Sequence, residues 1–363
     1  MNPKLKILPL NDWIDTGGMP LVISGPCSAE TEEQLLKTAI QLKEIGKVHV
    51  LRAGIWKPRT RPNDFEGVGE KGLEWLKKAK KSTGLLTSVE VADANHVELA
   101  LKHNVDILWV GARTVVNPFS VQAIAEALTG VDVPVMIKNP LNPDLKLWLG
   151  AIERLNTIGI NKLIAVHRGF HYFEKSPFRN APMWEIPIEL KRAVRGLPII
   201  VDPSHICGNR DLLESISQKA LDLEMDGLMI ESHHNPDAAL TDSAQQISPQ
   251  DLKELLENLV IRNRKGDFDF QHKLEGLRTE IDKLDGELLQ ILSKRMEIID
   301  EIGEYKRDHD ITILQMKRWA GIIRDRLSIG THMGLDGIFL KKLLNLIHKE
   351  SINRQENIFG KEE

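Results

Sequence analysis

Four residues of metal-ligating type fall at the ends of short apolar runs in the first two-thirds of the chain. Cys27 follows LVISGP, His205 closes PIIVDPSH, Glu231 ends GLMIE, and Asp242 lies eleven residues further on. A thiolate, an imidazole and two carboxylates suit a borderline divalent ion such as Mn, Fe, Co or Zn better than Mg or Ca. Each also has an ordinary alternative, a buried Cys as core packing and a strand-end Glu as an ion-pair partner. A second set is cationic. LRAGIWKPRTR places Arg52, Lys57, Arg59 and Arg61 within ten residues, and Arg113, Lys138 and Arg168 close the next apolar runs. Cations gathered at strand ends repel one another unless an anion binds there, and guanidinium forks match phosphate and carboxylate oxygens. The chemistry these residues suggest is the handling of one or two phosphorylated sugars or acids beside a divalent metal.

The elements that must carry them are legible in the pattern. Eight β-rich runs begin at Leu21, Val48, Leu85, Ile107, Pro134, Leu163, Pro198 and Gly227, most of them separated by stretches of helical periodicity such as EEQLLKTAIQLKEIGK. Eight strands alternating with helices in about 260 residues is the count of a (β/α)8 TIM barrel, and continuous apolar runs suit parallel strands buried on both faces. An open doubly wound sheet is the competing arrangement. It is disfavoured because no Gly-rich dinucleotide fingerprint follows the first strand. The polar residues above then gather on the C-terminal face, where barrel active sites are built.

The pattern changes after residue 262. KGDFDFQ forms a polar break, and Leu274, Leu277, Ile281, Leu284, Leu288, Ile291, Ile298, Ile302 and Tyr305 then keep a 3–4 spacing. This predicts one long helix over 271–308, followed by two shorter ones near 315–329 and 334–354. Domains are therefore expected at 1–262 and 272–363, joined by a linker over 263–271. A helix that long cannot bury its stripe alone, so a dimer is expected. Arg295 occupies a seam position of the stripe, while Arg278 and Lys306 edge it; a charge in an apolar seam is costly without a partner. The plain alternative is a dimerisation helix with snorkelling cations.

The 363 residues carry 48 Lys and Arg against 52 Asp and Glu, which leaves no global signature of nucleic-acid binding. Two cysteines exclude a disulfide scaffold and suggest a reducing compartment. The opening MNPKLKILPLNDW reads as neither signal peptide nor membrane span. A soluble cytoplasmic enzyme without nucleic-acid or membrane partners is the expectation.

In combination the motifs are more specific. GPCSAE, LRAGIWKPRT, GART, IKNP, HRGF, DPSH and MIESHHNP with LTDSAQQ occur in the order found in 3-deoxy-D-arabino-heptulosonate 7-phosphate (DAHP) synthases. The chain resembles their compact form, which is close to 3-deoxy-octulosonate 8-phosphate (KDO8P) synthase. The resemblance implies condensation of phosphoenolpyruvate with erythrose 4-phosphate. It implies that Cys27, His205, Glu231 and Asp242 hold the metal, and that Arg52, Lys57, Arg113, Lys138 and Arg168 bind phosphoenolpyruvate. It places Arg59 and Thr60 at the erythrose 4-phosphate phosphate, with Asp202 near its hydroxyls. Proton transfer falls to Lys57 or to metal-bound water. The KPRT segment argues against the octulosonate alternative, whose enzymes carry a different, Asn-containing sequence there.

LRTEIDKLDGELLQILSKRMEIIDEIGEYK is similar to the first helix of the all-helical chorismate mutases. That resemblance implies a site lined by Arg278, Arg295, Lys306, Arg318, Ser351 and Gln355. Lys306 and Gln355 would donate to the ether oxygen, and the arginines would hold the carboxylates of chorismate, Arg278 reaching from a partner chain. Members commonly carry an acidic pair near positions 315 and 319, where this chain has Gln315 and Trp319. Recognition of the substrate hydroxyl is therefore open. Joining an early step of the shikimate pathway to its first branch step suggests that prephenate or chorismate bound to the helical domain inhibits the barrel, and a homo-oligomer is expected, with dimer or tetramer undecided. A helical domain serving only as an effector-binding dimeriser remains the alternative.

Overall fold

The computed structural model describes residues 5–57, 65–173, 175–262, 268–314 and 316–360. Arg59, Thr60 and Gln315 lie outside these residues, as does the side chain of Arg318. The chain divides into two compact units, 1–264 and 265–363.

In the first unit eight parallel strands close a barrel in sequence order. They are β1 (Leu21–Gly25), β2 (Val50–Arg52), β3 (Leu86–Val91), β4 (Ile107–Val110), β5 (Val135–Lys138), β6 (Leu163–His167), β7 (Ile199–Val201) and β8 (Gly227–Glu231). Pairing of β1 with β8, from Leu21 opposite Gly227 to Gly25 opposite Glu231, completes the ring. The helices are α1 (Glu32–Ile45), α2 (Lys71–Thr83), α3 (Ala94–Lys102), α4 (Pro118–Ala127), α5 (Leu145–Thr157), α6 (Glu185–Ala193), α7 (Pro203–Cys207), α8 (Leu213–Asp222) and α9 (Pro249–Asn258). Several start on side-chain caps that the sequence supplies: Thr31, Asp93, Asn117 and Asp144 each accept a backbone N–H of the first turn.

The strands alternate between two apolar layers. Leu21, Ile23, Val50, Ile107, Trp109, Met136, Ile164, Val166, Ile200 and Met229 fill the barrel interior. Val22, Leu51, Val135, Ala165, Val201 and Leu228 pack in the larger core, which also takes in the helices. A period of two carries the inward register onward. Two residues after Val50, Met136, Val166, Ile200 and Met229 come Arg52, Lys138, Arg168, Asp202 and Glu231. The same alternation that packs the barrel thus delivers charge to its C-terminal mouth.

The second unit consists of α10 (Phe268–Arg307), α11 (Met316–His332) and α12 (Gly337–Phe359). Helix α10 begins inside the stretch expected to be linker. Asp336 caps α12 by accepting the Phe339 N–H. Leu277, Ile281, Leu284 and Leu288 leave the apolar stripe of α10 more than half exposed. Among the described residues no helix is long and apolar enough to cross a membrane.

Candidate functional site

The metal-type residues converge. Ligand atoms of Cys27, Glu231 and Asp242 lie within 4.8 Å of one another, and His205 Nε2 is 3.8 Å from Glu231 Oε1. Gly25 makes the approach of β1 possible. Its φ of 149° favours glycine, and a Cβ there would run into the Arg52 carbonyl. Two placements differ from the sequence expectation. His205 stands within α7 rather than at the end of β7, because Asp202 caps that helix by accepting the His205 N–H at 3.1 Å. Arg113 lies three residues past β4, on the exposed surface of the following loop.

Cys27 Sγ donates to Asp242 Oδ2 at 3.3 Å and accepts from Lys57 Nζ at 3.0 Å. Burial, with the Glu231 and Asp242 carboxylates adding, pushes this thiol up to about 12. Burial also raises the carboxyls, but the cations around them win. His205 in its protonated form, Arg52 and Lys57 hold Glu231 below its usual range, and Arg179 with protonated His205 holds Asp242 down at about 2. Burial lowers the His205 imidazole, which keeps it neutral near pH 7. Its Nδ1 is 2.8 Å from Asp202 Oδ2, the kind of outer contact that orients a ligating histidine. Asp242 itself sits in the left-handed region, φ 46° and ψ 37°, a strained conformation for a residue with a Cβ. Glu231 Oε2 accepts from Gln245 Nε2 at 2.7 Å, and the buried Oε1 faces the Arg52 guanidinium, with Nη2 at 3.2 Å. A neutral imidazole, two ionised carboxylates and a thiol, three of them with ligand atoms within 4.8 Å of one another, together fit a divalent cation.

The cations form the adjoining wall. Arg52 is 2% exposed, and its Nη2 meets Glu231 Oε1 at 3.2 Å over the face of Trp109, 5.1 Å away. Its Nε and Nη1 are buried without a hydrogen-bond partner. Lys138 Nζ donates to Asp202 Oδ2 at 2.8 Å and lies 6.0 Å from the same indole. Burial lowers Arg168 to about 10, with Asp202 opposing and Arg179 and Arg113 adding repulsion. Both oxygens of the fully buried Asp202 are engaged, Oδ2 by Lys138 Nζ and Oδ1 by the His205 backbone N–H, with His205 Nδ1 also 2.8 Å from Oδ2.

Three residues escaped the sequence reading. Arg179 donates from Nη1 to Asp242 Oδ1 at 3.0 Å and to Gln245 Oε1 at 2.8 Å, tying the metal-type loop to the loop after β6. Gln245 bridges Arg179 and Glu231. Trp109, anchored by its N–H to Glu90 Oε2 at 3.1 Å, is the apolar floor under two cations. Spacing alone marks none of them, although AQQ lies inside a quoted motif.

The helical unit gathers a second polar set. Arg295 Nη1 donates to Ser351 Oγ at 2.8 Å, and Lys306 Nζ donates to Gln355 Oε1 at 3.1 Å and to the Ile313 carbonyl at 2.5 Å. Burial and the nearby Arg326, also unforeseen, lower Arg295. Arg278 stays apart in this chain. It is exposed beside Glu275 at 3.7 Å, roughly 25 Å along α10 from Arg295 at the rise of a helix.

A closed parallel barrel whose C-terminal mouth sets a metal-type cluster against buried cations belongs to the (β/α)8 enzymes that act on anionic substrates. The chain belongs to the DAHP synthetase I family, whose model matches residues 8–263, and residues 277–356 match chorismate mutase type II. It is 34% identical over 258 residues to a phospho-2-dehydro-3-deoxyheptonate aldolase of Thermotoga maritima, covering 71% of this chain and 74% of that one. A 2-dehydro-3-deoxyphosphooctonate aldolase of Desulfotalea psychrophila is 27% identical, covering 69% and 92%. The crystal structure of the Thermotoga maritima DAHP synthase superposes with a TM-score of 0.61 at 32% identity, covering 71% of this chain and 75% of that one. The chain therefore joins a transferase domain and an isomerase domain of aromatic biosynthesis, a bifunctional enzyme of the shikimate pathway.

Proposed function

We propose that the barrel condenses phosphoenolpyruvate with erythrose 4-phosphate, and that Cys27, His205, Glu231 and Asp242 hold the divalent metal it needs. Bound there, the metal would supply Lewis-acid polarisation of the aldehyde oxygen. Arg52, Arg113, Lys138 and Arg168 bind the phosphate and carboxylate of phosphoenolpyruvate, and Arg59 and Thr60 the phosphate of the sugar. The methylene carbon of phosphoenolpyruvate attacks the aldehyde carbon, water adds to the cation forming at C2 and gives up a proton, and the C2–O bond to phosphate breaks as the C2 hydroxyl loses its proton to become the ketone. Lys57 Nζ, beside Cys27, gives a proton to the aldehyde oxygen as it becomes a hydroxyl. The observation that carries this reading is Arg52, whose two unpaired buried donors call for an anion, since an unmade hydrogen bond to a buried charged group is costly. Loss of phosphoenolpyruvate with erythrose 4-phosphate, but not with arabinose 5-phosphate, tests it after chelation and return of Mn, Fe, Co or Zn. Turnover with the five-carbon sugar alone would favour the octulosonate reaction.

The helical domain, in the same proposal, rearranges chorismate to prephenate. The reaction is pericyclic, so positioning and charge stabilisation suffice. Arg295, Arg318 and Ser351 bind the carboxylates, while Lys306 and Gln355 donate to the ether oxygen. Arg278 enters the site from a second copy, which also covers the exposed stripe of α10; this makes the dimer a part of the site. Prephenate or chorismate held there inhibits the barrel. Cys27 and Cys207, both free thiols, accord with a cytoplasmic location.

A further inference from the structure

The helical unit holds a ring pair that the mutase reading leaves without a role. His348 shares a face of α12 with Ser351 and Gln355, three and seven residues on. Its imidazole is stacked on the indole of Trp319 from α11, ring centroids 3.5 Å apart and planes within 8° of parallel. Arg295 from α10 donates to Ser351 Oγ and acts electrostatically on His348. Helices α10 and α11 thus each meet the same face of α12 through a polar or aromatic contact, Arg295 at Ser351 and Trp319 at His348. At position 319 the chorismate mutases that this unit resembles commonly carry an acid, and this chain carries Trp319. An indole offers only an N–H donor, while a neutral imidazole offers one donor and one acceptor. Burial, with the Arg295 charge adding, lowers His348 and keeps that acceptor available near pH 7. The indole face meanwhile fixes the plane of the ring.

We propose that His348, held by Trp319, is the specificity-determining residue that hydrogen-bonds the ring hydroxyl of the mutase substrate. This rests on the mutase reading and names the group that replaces the missing carboxylate. A single hydrogen bond is worth about tenfold in rate.

The test uses the full chain with chorismate and with an analogue lacking the ring hydroxyl. His348→Leu is expected to lower kcat/KM about tenfold on chorismate and to leave the analogue within about twofold of the parent chain. His348→Gln, which keeps an acceptor, recovers part of the loss. Trp319→Phe, which keeps a stacking face, serves as the second variant should His348→Leu unfold. It is expected to raise KM for chorismate more than for the analogue. Equal losses on both substrates would make the pair structural packing and overturn the proposal, as would an unchanged rate on chorismate. A parent chain that does not turn over chorismate at all ends the mutase reading before any variant is made, and the proposal with it.

Discussion

Metal uptake by the barrel should release one proton, and that proton should come from Cys27. The site is otherwise already in its ligating state. Glu231 and Asp242 are held below the usual carboxylate range by the neighbouring cations, and burial keeps His205 neutral. The thiol alone is protonated, burial having raised it to about 12. At pH 7 the protonated thiol therefore predominates, and binding must displace its proton. Apparent affinity should rise about tenfold, or 1.4 kcal/mol, per pH unit between about pH 6 and pH 8. The assay is titration of chelator-treated protein with Cd2+, followed both by thiolate-to-metal charge-transfer absorption and by a pH indicator in weak buffer. Cys27→Ser should lose the absorption band and the pH slope together. A flat affinity in the parent chain would refute the reasoning. Release of two protons would also refute it, by showing that His205 is charged in the metal-free protein.

His167, buried among Trp148, Phe170 and Trp184, is lowered to about 3 by burial, with Arg168 repulsion adding and the Pro182 backbone opposing. A histidine with a lowered folded pKa stabilises fully above its unfolded value of about 6.5 and loses that contribution as pH falls toward 3. The loss should reach about 1.4 kcal/mol by pH 5.5. Urea midpoints of the parent chain and His167→Phe should diverge below pH 6.5, and parallel pH dependences would count against this. Asp202→Asn removes the partner of Lys138 and the orienting contact of His205, so metal affinity should fall about 10–100-fold. An unchanged isotherm would deny Asp202 that role. Prephenate should slow phosphoenolpyruvate consumption by the parent chain but not by Arg295→Ala; equal inhibition of both would place the inhibitor outside the helical domain.

The barrel was legible because its strands are continuous apolar runs, and because the inward register that ends in Met136 or Met229 must next present Lys138 or Glu231. The convergence of Cys27, Glu231 and Asp242 follows from the same register, whereas the position of His205 does not. Its host helix depends on the Asp202 cap, which the motif DPSH contains without declaring. Arg179 was not readable. It sits in the long stretch between β6 and α6, where no periodicity relates residue number to position, and its partner Asp242 is 63 residues away. Arg326 and His348 were missed for a different reason. Helical spacing shows which residues share a face, but not which faces of α10, α11 and α12 meet. Arg278 is the converse case, since its assigned role needs a second chain.

The central claim is that one chain carries two separable activities. Its most direct test follows chorismate consumption, and phosphoenolpyruvate loss with erythrose 4-phosphate and Mn2+, in a single preparation of the parent chain, Arg52→Ala and Arg295→Ala. The parent should perform both reactions. Arg52→Ala should lose the condensation and keep the rearrangement, while Arg295→Ala should do the reverse, each loss on the order of 100-fold or more. Condensation without chorismate turnover in the parent chain would contradict the account and leave the helical domain an effector-binding dimeriser.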